Sequence, residues 1–305
     1  VETMTFEAIT PDQKAQFEDE GYLVLEDRIP GDIIAAIRAE IARFEEIRRS
    51  MTEPDDRLDL EPSHTVETPR LRRIKLPHTQ SDVMRDLMYS DHVLAPARDL
   101  IGPDLRIHTT KLNMKMGGGG AAVEWHQDYA FYPHTNDDIL AIGICIDDMA
   151  EENGPLMVFP GSHKGPVFDH HVDGVFAGAI VPEANGLDMA DAVPLTGPAG
   201  SISIHHGRIV HGSALNRSDR PRRILFYEMM AADAFPIMGS MTRWDGIEDY
   251  DARMLCGVPT LQPRRKDIPI RIPQPQPNVA ISIYEIQKGL RARAFDTIPA
   301  KETTQ

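Results

Sequence analysis

A histidine and an aspartate stand two residues apart in the segment EWHQDYAF, which spans residues 124–131. In a β-strand, side chains two residues apart project from the same face, so His126 and Asp128 can point at one metal ion while Gln127 faces away. A His-x-Asp pair also occurs often by chance, and an ordinary polar patch on a strand is the simpler interpretation. The pair therefore needs support from elsewhere in the chain.

A third candidate ligand, His211, follows the β-type run SISIHHGRIV and lies 85 residues beyond His126. Two histidines and one carboxylate on one face of an octahedral ion leave three positions open, the arrangement of non-haem Fe(II) oxygenases. A closed structural zinc site would need a fourth ligand, usually a cysteine, and neither Cys145 nor Cys256 is placed to supply one. Other histidines stay open as replacements for a ligand: His163, His170, His171, His205 and His206.

An arginine on the next strand supplies a counter-charge for a dicarboxylate. Arg222 lies 11 residues after His211 in the run RRILFYEMM, and a planar guanidinium forks onto a carboxylate. Arg220 and Arg223 are rivals for this role. Because a strand is pleated, Arg222 and Arg223 point to opposite faces, and at most one of the two is expected in the site.

The elements that position these residues change in type along the chain. Thr10-Pro11-Asp12-Gln13 predicts the capped start of a helix that ends near Gly21, and YLVLED follows as a short strand. Residues 51–69 are expected to form a surface loop, and SDVMRDLMY and DHVLAPARDLIG two short helices. A long helix is expected between the strand YLVLED and residue 51, with apolar residues at steps of three and four: Ile34, Ile37, Ile41, Phe44 and Ile47.

From Leu105 onward, short β-type runs are separated by Gly and Pro turns without alternating helices. This pattern predicts a sandwich or jelly roll. His205 and His206 are expected on the strand before His211. We expect a single domain with a helical flank at 1–104, a β core at 105–230 and a C-terminal extension at 231–305, within which 263–277 form an extended loop.

The composition excludes several classes of function. The chain has 305 residues, 41% of them hydrophobic, and a net charge of −15, so a nucleic-acid or anionic-membrane surface is not expected. Two cysteines without a disulfide framework fit a reducing compartment, and neither resembles a nucleophile. No signal peptide or membrane-spanning run is visible, so the expected localisation is cytoplasmic.

Three motifs in order resemble the phytanoyl-CoA dioxygenase family of Fe(II)- and 2-oxoglutarate-dependent oxygenases. They are WHQDYAFYP, NGPLMVFPGSHKG at 153–165 and HGSALNRSDRPRR at 211–223. The opening FEDEGYLVLED is also similar, so the resemblance runs from about residue 10 to about residue 230. It implies a double-stranded β-helix, a cupin-like jelly roll with flanking N-terminal α-helices.

The resemblance also implies a set of site residues. His126, Asp128 and His211 would hold iron, and Arg222 would pair with the distal carboxylate of 2-oxoglutarate, helped by Ser213. Lys75 and Thr110 fall where family members place further co-substrate contacts.

The implied reaction uses O2 and releases succinate and CO2 while a small organic substrate is hydroxylated or otherwise oxidised. Halogenating relatives have a small residue in place of Asp128, so halogenation is not expected. A metal-binding jelly roll that is not an oxygenase, such as a cupin-like isomerase or ligand-binding module, is the alternative; it would keep the three ligands without needing Arg222.

The substrate and the assembly state stay open at this stage. The basic clusters RLRR at 70–73 and RRK at 264–266 could attract an anionic substrate such as an acyl-CoA, although solvated salt-bridging surface is the commoner explanation. The glycine run at 117–120 is expected to form a flexible loop over the mouth of the site. Four aromatics either line the pocket or belong to the core: Trp125, Tyr129, Phe131 and Tyr132. A monomer and a homodimer are both compatible with the sequence.

Overall fold

The computed structural model describes residues 8–61, 63–239, 245–277, 283–287, 290 and 293–295. The helices are α1 (Pro11–Glu20), α2 (Gly31–Ile47), α3 (Asp82–Met88), α4 (Asp91–Ile101), α5 (Ile247–Ala252) and α6 (Ile283–Ile286). The strands of the first half are β1 (Tyr22–Leu25), β2 (Leu58–Leu60), β3 (Leu71–Lys75), β4 (Leu105–Lys115), β5 (Val123–His126), β6 (Ile139–Cys145) and β7 (Met157–Val158). Those of the second half are β8 (His171–Val172), β9 (Val175–Phe176), β10 (Val193–Pro194), β11 (Ile202–His206), β12 (His211–Ser213), β13 (Arg222–Ala231) and β14 (Met254–Cys256).

The strands form two main antiparallel sheets, the jelly roll that the sequence predicts. The larger sheet has the order β1-β11-β6-β13-β4-β3-β2, with β14 also paired to β4, and the smaller sheet has the order β10-β7-β12-β5. The strands β8 and β9 form a separate ribbon. The N-terminal flank therefore contributes strands to the larger sheet as well as helices, whereas the boundaries at 104 and 230 stay a prediction.

Alternation along the strands separates the two faces of the larger sheet. On β4, Leu112 and Met114 belong to the main hydrophobic core together with buried residues of α2, α3 and α4. Lys111, Asn113 and Lys115 lie between them in sequence and line a cavity instead. The helices thus cover one face of the sheet, and the opposite face is left for chemistry.

The helix predictions are confirmed with one exception. Thr10 caps α1 with a complete capping box, and Gly21 ends it in the left-handed conformation. On α2, Ile34, Ile37, Ile41 and Phe44 are buried, but the side chain of Ile47 is 56% exposed, so its inclusion in the apolar face is wrong. Ile47 is the last residue of the helix.

Two loop predictions need correction. The segment 51–69 contains β2, which pairs with β3 and buries Leu58 completely. The glycine run at 117–120 is not a free loop, because Gly118 and Gly119 donate backbone hydrogen bonds to the carbonyls of Ser218 and Asn216. The extended loop predicted at 263–277 is confirmed, with no helix or strand in that stretch.

The absence of a side chain at Gly143 in the larger sheet leaves room for the ring of Phe226. Gly143 lies on β6 opposite Phe226 of β13, in a strand whose residues are all buried. A Cβ atom at position 143 would come within 2.8 Å of Cε1 of the Phe226 ring and of the Ser203 hydroxyl. Any side chain here would force the Phe226 ring to move.

Among the described residues, none of the helices has the length and apolar character needed to cross a membrane.

Candidate active site

The cavity lies between the two sheets and opens to solvent; the space within it, including its open mouth, is about 510 Å³. The larger sheet contributes Arg73, Lys111, Asn113, Lys115, His205, Arg222 and Phe226 to its wall. The smaller sheet contributes Val123, His126, His211, Gly212 and Ser213. Asp128, Leu156, Ile283 and Tyr284 complete the lining.

His126, Asp128 and His211 come together at this cavity, as the sequence predicts. One ligand atom of each lies within 4.8 Å of those of the others, and all three residues are buried. Nε2 of His126 lies 3.7 Å from Oδ1 of Asp128, and Nε2 of His211 lies 3.8 Å from Oδ2. The strands pair as required, because His126 of β5 is directly opposite His211 of β12.

The local backbone explains how Asp128 reaches the two histidines. The strand β5 ends at His126, and Asp128 begins a one-turn 3-10 helix, so the two residues do not share a strand. Gln127 between them is nevertheless extended, with φ −118° and ψ 126°, so the alternation of side chains persists through it. His126 and Asp128 therefore face the same side, as the sequence predicts, although only His126 lies in a strand.

Hydrogen bonds behind the histidines set their tautomers. Nδ1 of His126 lies 2.7 Å from the carbonyl oxygen of Glu124, and Nδ1 of His211 lies 3.1 Å from that of Ile209. A carbonyl oxygen only accepts, so each Nδ1 carries the proton and each Nε2 presents a lone pair beside Asp128. This donor set fits a divalent iron ion with open coordination positions.

Electrostatics keeps the ligands in the protonation states that metal binding needs. Burial holds the pKa of His211 well below its usual value, which favours the neutral imidazole. Burial alone would raise the pKa of Asp128, but its interactions with the adjacent His211 imidazole and with the charge of Lys111 outweigh burial, so the pKa lies well below its usual range. Asp128 is therefore a carboxylate at neutral pH.

Gln127 connects the segment 126–128 to its surroundings. The sequence predicts only that its side chain faces away from the metal. Its side-chain amide donates to the carbonyl oxygens of Arg208 at 2.7 Å and Pro166 at 3.1 Å. Its backbone N–H donates to Nε2 of His170 at 3.0 Å. Because Gln127 is completely buried between two ligands, these bonds fix the segment that carries both.

Arg222 lies at the other end of the cavity. Its Nε and one terminal nitrogen donate to the carbonyl oxygen of Gly154 at 2.9 and 2.6 Å, which holds the guanidinium in place. Burial lowers its pKa to about 10, so the group is still a cation at neutral pH. The rivals point elsewhere: Arg223 pairs with Asp147, and the exposed Arg220 pairs with Glu152.

Ser213 and Lys115 stand beside Arg222. Nζ of Lys115 donates to the Ser213 hydroxyl at 2.8 Å and also to the carbonyl oxygen of Ala214. Burial, and then the charge of Arg222, hold the pKa of Lys115 well below its usual range. Lys115 was missed at the sequence level, although the spacing of Lys111, Asn113 and Lys115 in KLNMK is that of one strand face.

Two predicted co-substrate contacts are not brought to the cavity. Thr110 lies on the helix-covered face of β4, one residue out of phase with Lys111, and its hydroxyl is 2.6 Å from Nδ1 of His78. Lys75 forms an ion pair of 2.9 Å with Asp59. Arg73, two residues earlier on β3, is the basic residue of that strand that lines the cavity.

The structure also shows where the other candidate residues lie. The cavity wall includes His205, 3.4 Å from Oδ2 of Asp128, while His163 lies in a one-turn helix that packs against Gly21. In the 264–266 cluster, Arg264 and Lys266 are paired with acidic residues on other segments. The four aromatics near the ligands belong to hydrophobic clusters and not to the cavity wall: Trp125, Tyr129, Phe131 and Tyr132.

The C-terminal part of the chain closes one side of the cavity. Tyr284 of α6 lines it with only 6% of its surface exposed, and the side chain of Gln287 donates to the carbonyl oxygen of Gly178 at 3.0 Å. The carboxylate of Glu124 accepts a backbone hydrogen bond from Ala294 at 2.9 Å. The strand that carries His126 therefore also anchors this segment.

Comparison with known proteins decides the family. The model of the family described as "Phytanoyl-CoA dioxygenase (PhyH)" matches residues 17–224, which is more than half of the chain. The chain belongs to the phytanoyl-CoA dioxygenase family. This confirms the resemblance that the three motifs indicate.

Relatives in this family match over most of their length. A probable alpha-ketoglutarate-dependent hypophosphite dioxygenase of Stutzerimonas stutzeri is 34% identical over 288 residues, which cover 93% of this chain and 99% of the relative. An ectoine dioxygenase of Bordetella parapertussis is 28% identical over 243 residues, covering 72% and 75%. The crystal structure of EctD from S. alaskensis with 2-oxoglutarate and 5-hydroxyectoine superimposes with a TM-score of 0.63 at 27% identity, covering 73% of this chain and 77% of that one.

Proposed function

We propose that this protein is an Fe(II)- and 2-oxoglutarate-dependent dioxygenase that oxidises a small molecule and releases succinate and CO2. The observation that carries the proposal is the placement of two histidines, a carboxylate and a buried arginine in one cavity. The named relatives, which include alpha-ketoglutarate-dependent and ectoine dioxygenases, support the same reaction. A cupin-like isomerase or binding module would have no use for a guanidinium held at this position.

His126, Asp128 and His211 are proposed to hold the iron. Arg222 is proposed to fork onto the distal carboxylate of 2-oxoglutarate, and Ser213 and Lys115 to donate to the same group. Binding a dicarboxylate next to Lys115 would favour its protonated form, because the new negative charge offsets the repulsion from Arg222. We assign no co-substrate contact to Lys75 or Thr110, given where they lie.

The protein's contribution to the chemistry is placement and exclusion of water. Iron and 2-oxoglutarate, when bound, supply the activation of O2. The backbone carbonyls behind His126 and His211 keep both imidazoles in the ligating tautomer, and Asp128 occupies the position that a halide would need. Tyr284 closes one side of the cavity. Hydroxylation or a related oxidation is therefore the proposed outcome, not halogenation.

The substrate is proposed to be anionic. Along the described part of the cavity wall, four basic residues face a single carboxylate: Arg73, Lys111, Lys115 and Arg222 against Asp128. This is the reverse of the whole chain, whose net charge is −15.

A titration without oxygen tests the iron and co-substrate sites directly. Adding 2-oxoglutarate to the Fe(II)-loaded protein is expected to produce the visible charge-transfer band of the chelate. On admitting O2, succinate should form in proportion to the 2-oxoglutarate consumed. A band that is absent at saturating 2-oxoglutarate would favour the non-oxygenase alternative.

A further inference from the structure

Two basic side chains of the cavity are used neither by the metal ligands nor by the Arg222 end. They are Lys111 on β4 and Arg73 on the neighbouring strand β3. In the register of the two strands, Arg73 is directly opposite Asn113, two residues beyond Lys111 on the same face. The two basic groups therefore share one patch of the larger sheet with Asn113 between them.

Arg73 forms no ion pair in the described part of the chain; the carboxylate of Asp59, directly opposite it on β2, pairs with Lys75 instead. Nε of Arg73 donates to the side-chain oxygen of Asn113 at 3.1 Å, and its guanidinium lies 5.1 Å from the centre of the Tyr284 ring. Neither contact is with an acid, and the ion pairs among the described residues do not include Arg73. An amide and an aromatic face orient a guanidinium without cancelling its charge.

Lys111 is held beside the metal ligands. Its ammonium forms an ion pair with Glu228, a residue that is 2% exposed and also accepts a 3.0 Å hydrogen bond from the hydroxyl of Tyr132. An ammonium has three donors, so the bond to Glu228 leaves donors for a ligand in the cavity.

The charges leave room for one more anion. The two carboxylates of 2-oxoglutarate would be offset by Arg222 and the metal, and Asp128 by the metal as well. Arg73 would still face the cavity as an uncompensated cation, next to Lys111. A second anion in this patch would complete the pairing.

The size of the cavity limits that anion. This cavity must hold the co-substrate as well as the substrate. Tyr284 and Ile283 close it from the side of the C-terminal segment. Because the substrate would share this part of the cavity with 2-oxoglutarate, we expect a small anion.

We infer that Arg73 and Lys111, with Asn113, form an oxyanion-binding subsite, and that the substrate is a small oxyanion with an oxidisable bond to hydrogen. The inference rests on the proposed oxygenase function. The relative named as a hypophosphite dioxygenase, which this chain matches over 99% of its length, supports a substrate of this size and charge.

The reaction balances with the reactants already proposed. One atom of O2 is inserted into the substrate's bond to hydrogen, and the other enters succinate as 2-oxoglutarate loses CO2. For hypophosphite, a P–H bond becomes P–OH and the product is phosphite. A short carboxylate would be converted into its hydroxy acid in the same way.

Binding measured without oxygen separates this inference from the proposed function. Protein loaded with Fe(II) and 2-oxoglutarate is titrated calorimetrically with hypophosphite, with propionate as a short organic oxyanion, and with the zwitterions ectoine and L-proline. Hypophosphite or propionate should bind, and the one that is a substrate should stimulate succinate formation; the comparison of these two identifies phosphorus or carbon as the oxidised centre. Saturable binding of the zwitterions alone would overturn the inference.

The variants test the two residues individually. Arg73→Gln should weaken oxyanion binding by about tenfold to a hundredfold, because a charged hydrogen bond is lost, while the charge-transfer band with 2-oxoglutarate stays. Lys111→Met combined with Glu228→Gln should also weaken oxyanion binding, without leaving a buried unpaired carboxylate. Lys111→Arg keeps the charge and should retain binding to within about threefold. Arg265→Gln, an exposed arginine outside the cavity, is the matched control.

The outcomes are distinguishable. If the charge-transfer band is absent in the unaltered protein, the proposed function fails. If the band is present but Arg73→Gln and the double variant bind the oxyanion as tightly as Arg265→Gln does, only the subsite is overturned.

Discussion

The two sheets of this jelly roll contribute different chemistry to the same cavity. The smaller sheet supplies both proposed histidine ligands from β5 and β12, which are directly paired. The larger sheet supplies the four basic residues, from β3, β4 and β13. Metal ligands must converge within a few ångströms, which two adjacent short strands achieve, whereas anion recognition needs charges spread over a wider surface. The difference predicts that the two functions can be damaged separately.

The largest effect is expected from removing a ligand on the smaller sheet. His211→Ala should reduce succinate formation by about a thousandfold or more, because the metal loses one of three protein ligands. The charge-transfer band should disappear with it. His171→Ala, outside the cavity wall, is the control and should retain both. Turnover within a few fold of the unaltered protein would exclude His211 as a ligand.

A large effect, confined to co-substrate binding, is expected from the larger sheet. Arg222→Gln should raise the KM for 2-oxoglutarate by about tenfold to a hundredfold through the loss of a bidentate charged contact. Iron binding, measured by equilibrium dialysis without 2-oxoglutarate, should be unchanged. Arg220→Gln tests the rival arginine and is expected to have no effect, since Arg220 is exposed and paired with Glu152. Equal effects of the two substitutions would contradict the assignment.

A smaller effect is expected behind the metal ligands. Gln127→Ala removes the amide that ties the ligand segment to Arg208 and Pro166, and should lower iron affinity by about tenfold. The KM for 2-oxoglutarate at saturating iron should change little, which distinguishes positioning of the ligands from co-substrate binding. Gln262→Ala on the exposed C-terminal loop provides the comparison. An unchanged iron affinity would show that the ligand segment is fixed without Gln127.

The last prediction concerns stability and not turnover, and it applies at the edge of the larger sheet, where Glu61 follows β2. Burial raises the pKa of Glu61 to about 7, although the charges of Arg72 and Lys115 oppose the shift. The folded protein therefore binds a proton more tightly than the unfolded chain, so the stabilising contribution is full below about pH 4.5 and is lost as pH rises to about 7. The loss amounts to at most about 3 kcal/mol of the free energy of unfolding. Denaturation curves of the Glu61→Gln variant, measured across this pH range, should not show it.

The control for this titration is Glu67→Gln, an exposed glutamate of the same segment. It should keep the decline in the free energy of unfolding between pH 4.5 and 7. A decline of the same size in Glu61→Gln would assign it to other groups.

Strand alternation accounts for what the sequence could and could not predict. It predicted that Arg222 and Arg223 face opposite sides of the sheet, and in the structure Arg222 lines the cavity while Arg223 pairs with Asp147. It also placed His126 and Asp128 on one side. It explains as well why Thr110 does not line the cavity. The resemblance to the family implied a contact at Thr110, but Thr110 is one residue away from Lys111 and so lies on the opposite face of the strand.

Other features depend on partners that the sequence does not indicate. The buried strand β2 is a three-residue edge element inside a polar, proline-containing segment, and it exists because β3 offers it a partner. Tyr284 and Ile283 reach the cavity from a part of the chain without a recognisable motif. Their positions depend on long-range contacts such as those of Gln287 and Glu124.

A substitution at Gly143 would change the shape of the cavity without changing the proposed metal ligands or the basic residues. The Phe226 ring lines the cavity and rests against the space where position 143 has no side chain. An alanine there would push the ring away from β6, and the open cavity is the direction in which it can go. The absence of a side chain at position 143 of the neighbouring strand thus determines how far the Phe226 ring extends into the cavity. Related enzymes that differ at this position alone would accept substrates of different size while keeping the same ligands and the same counter-charges.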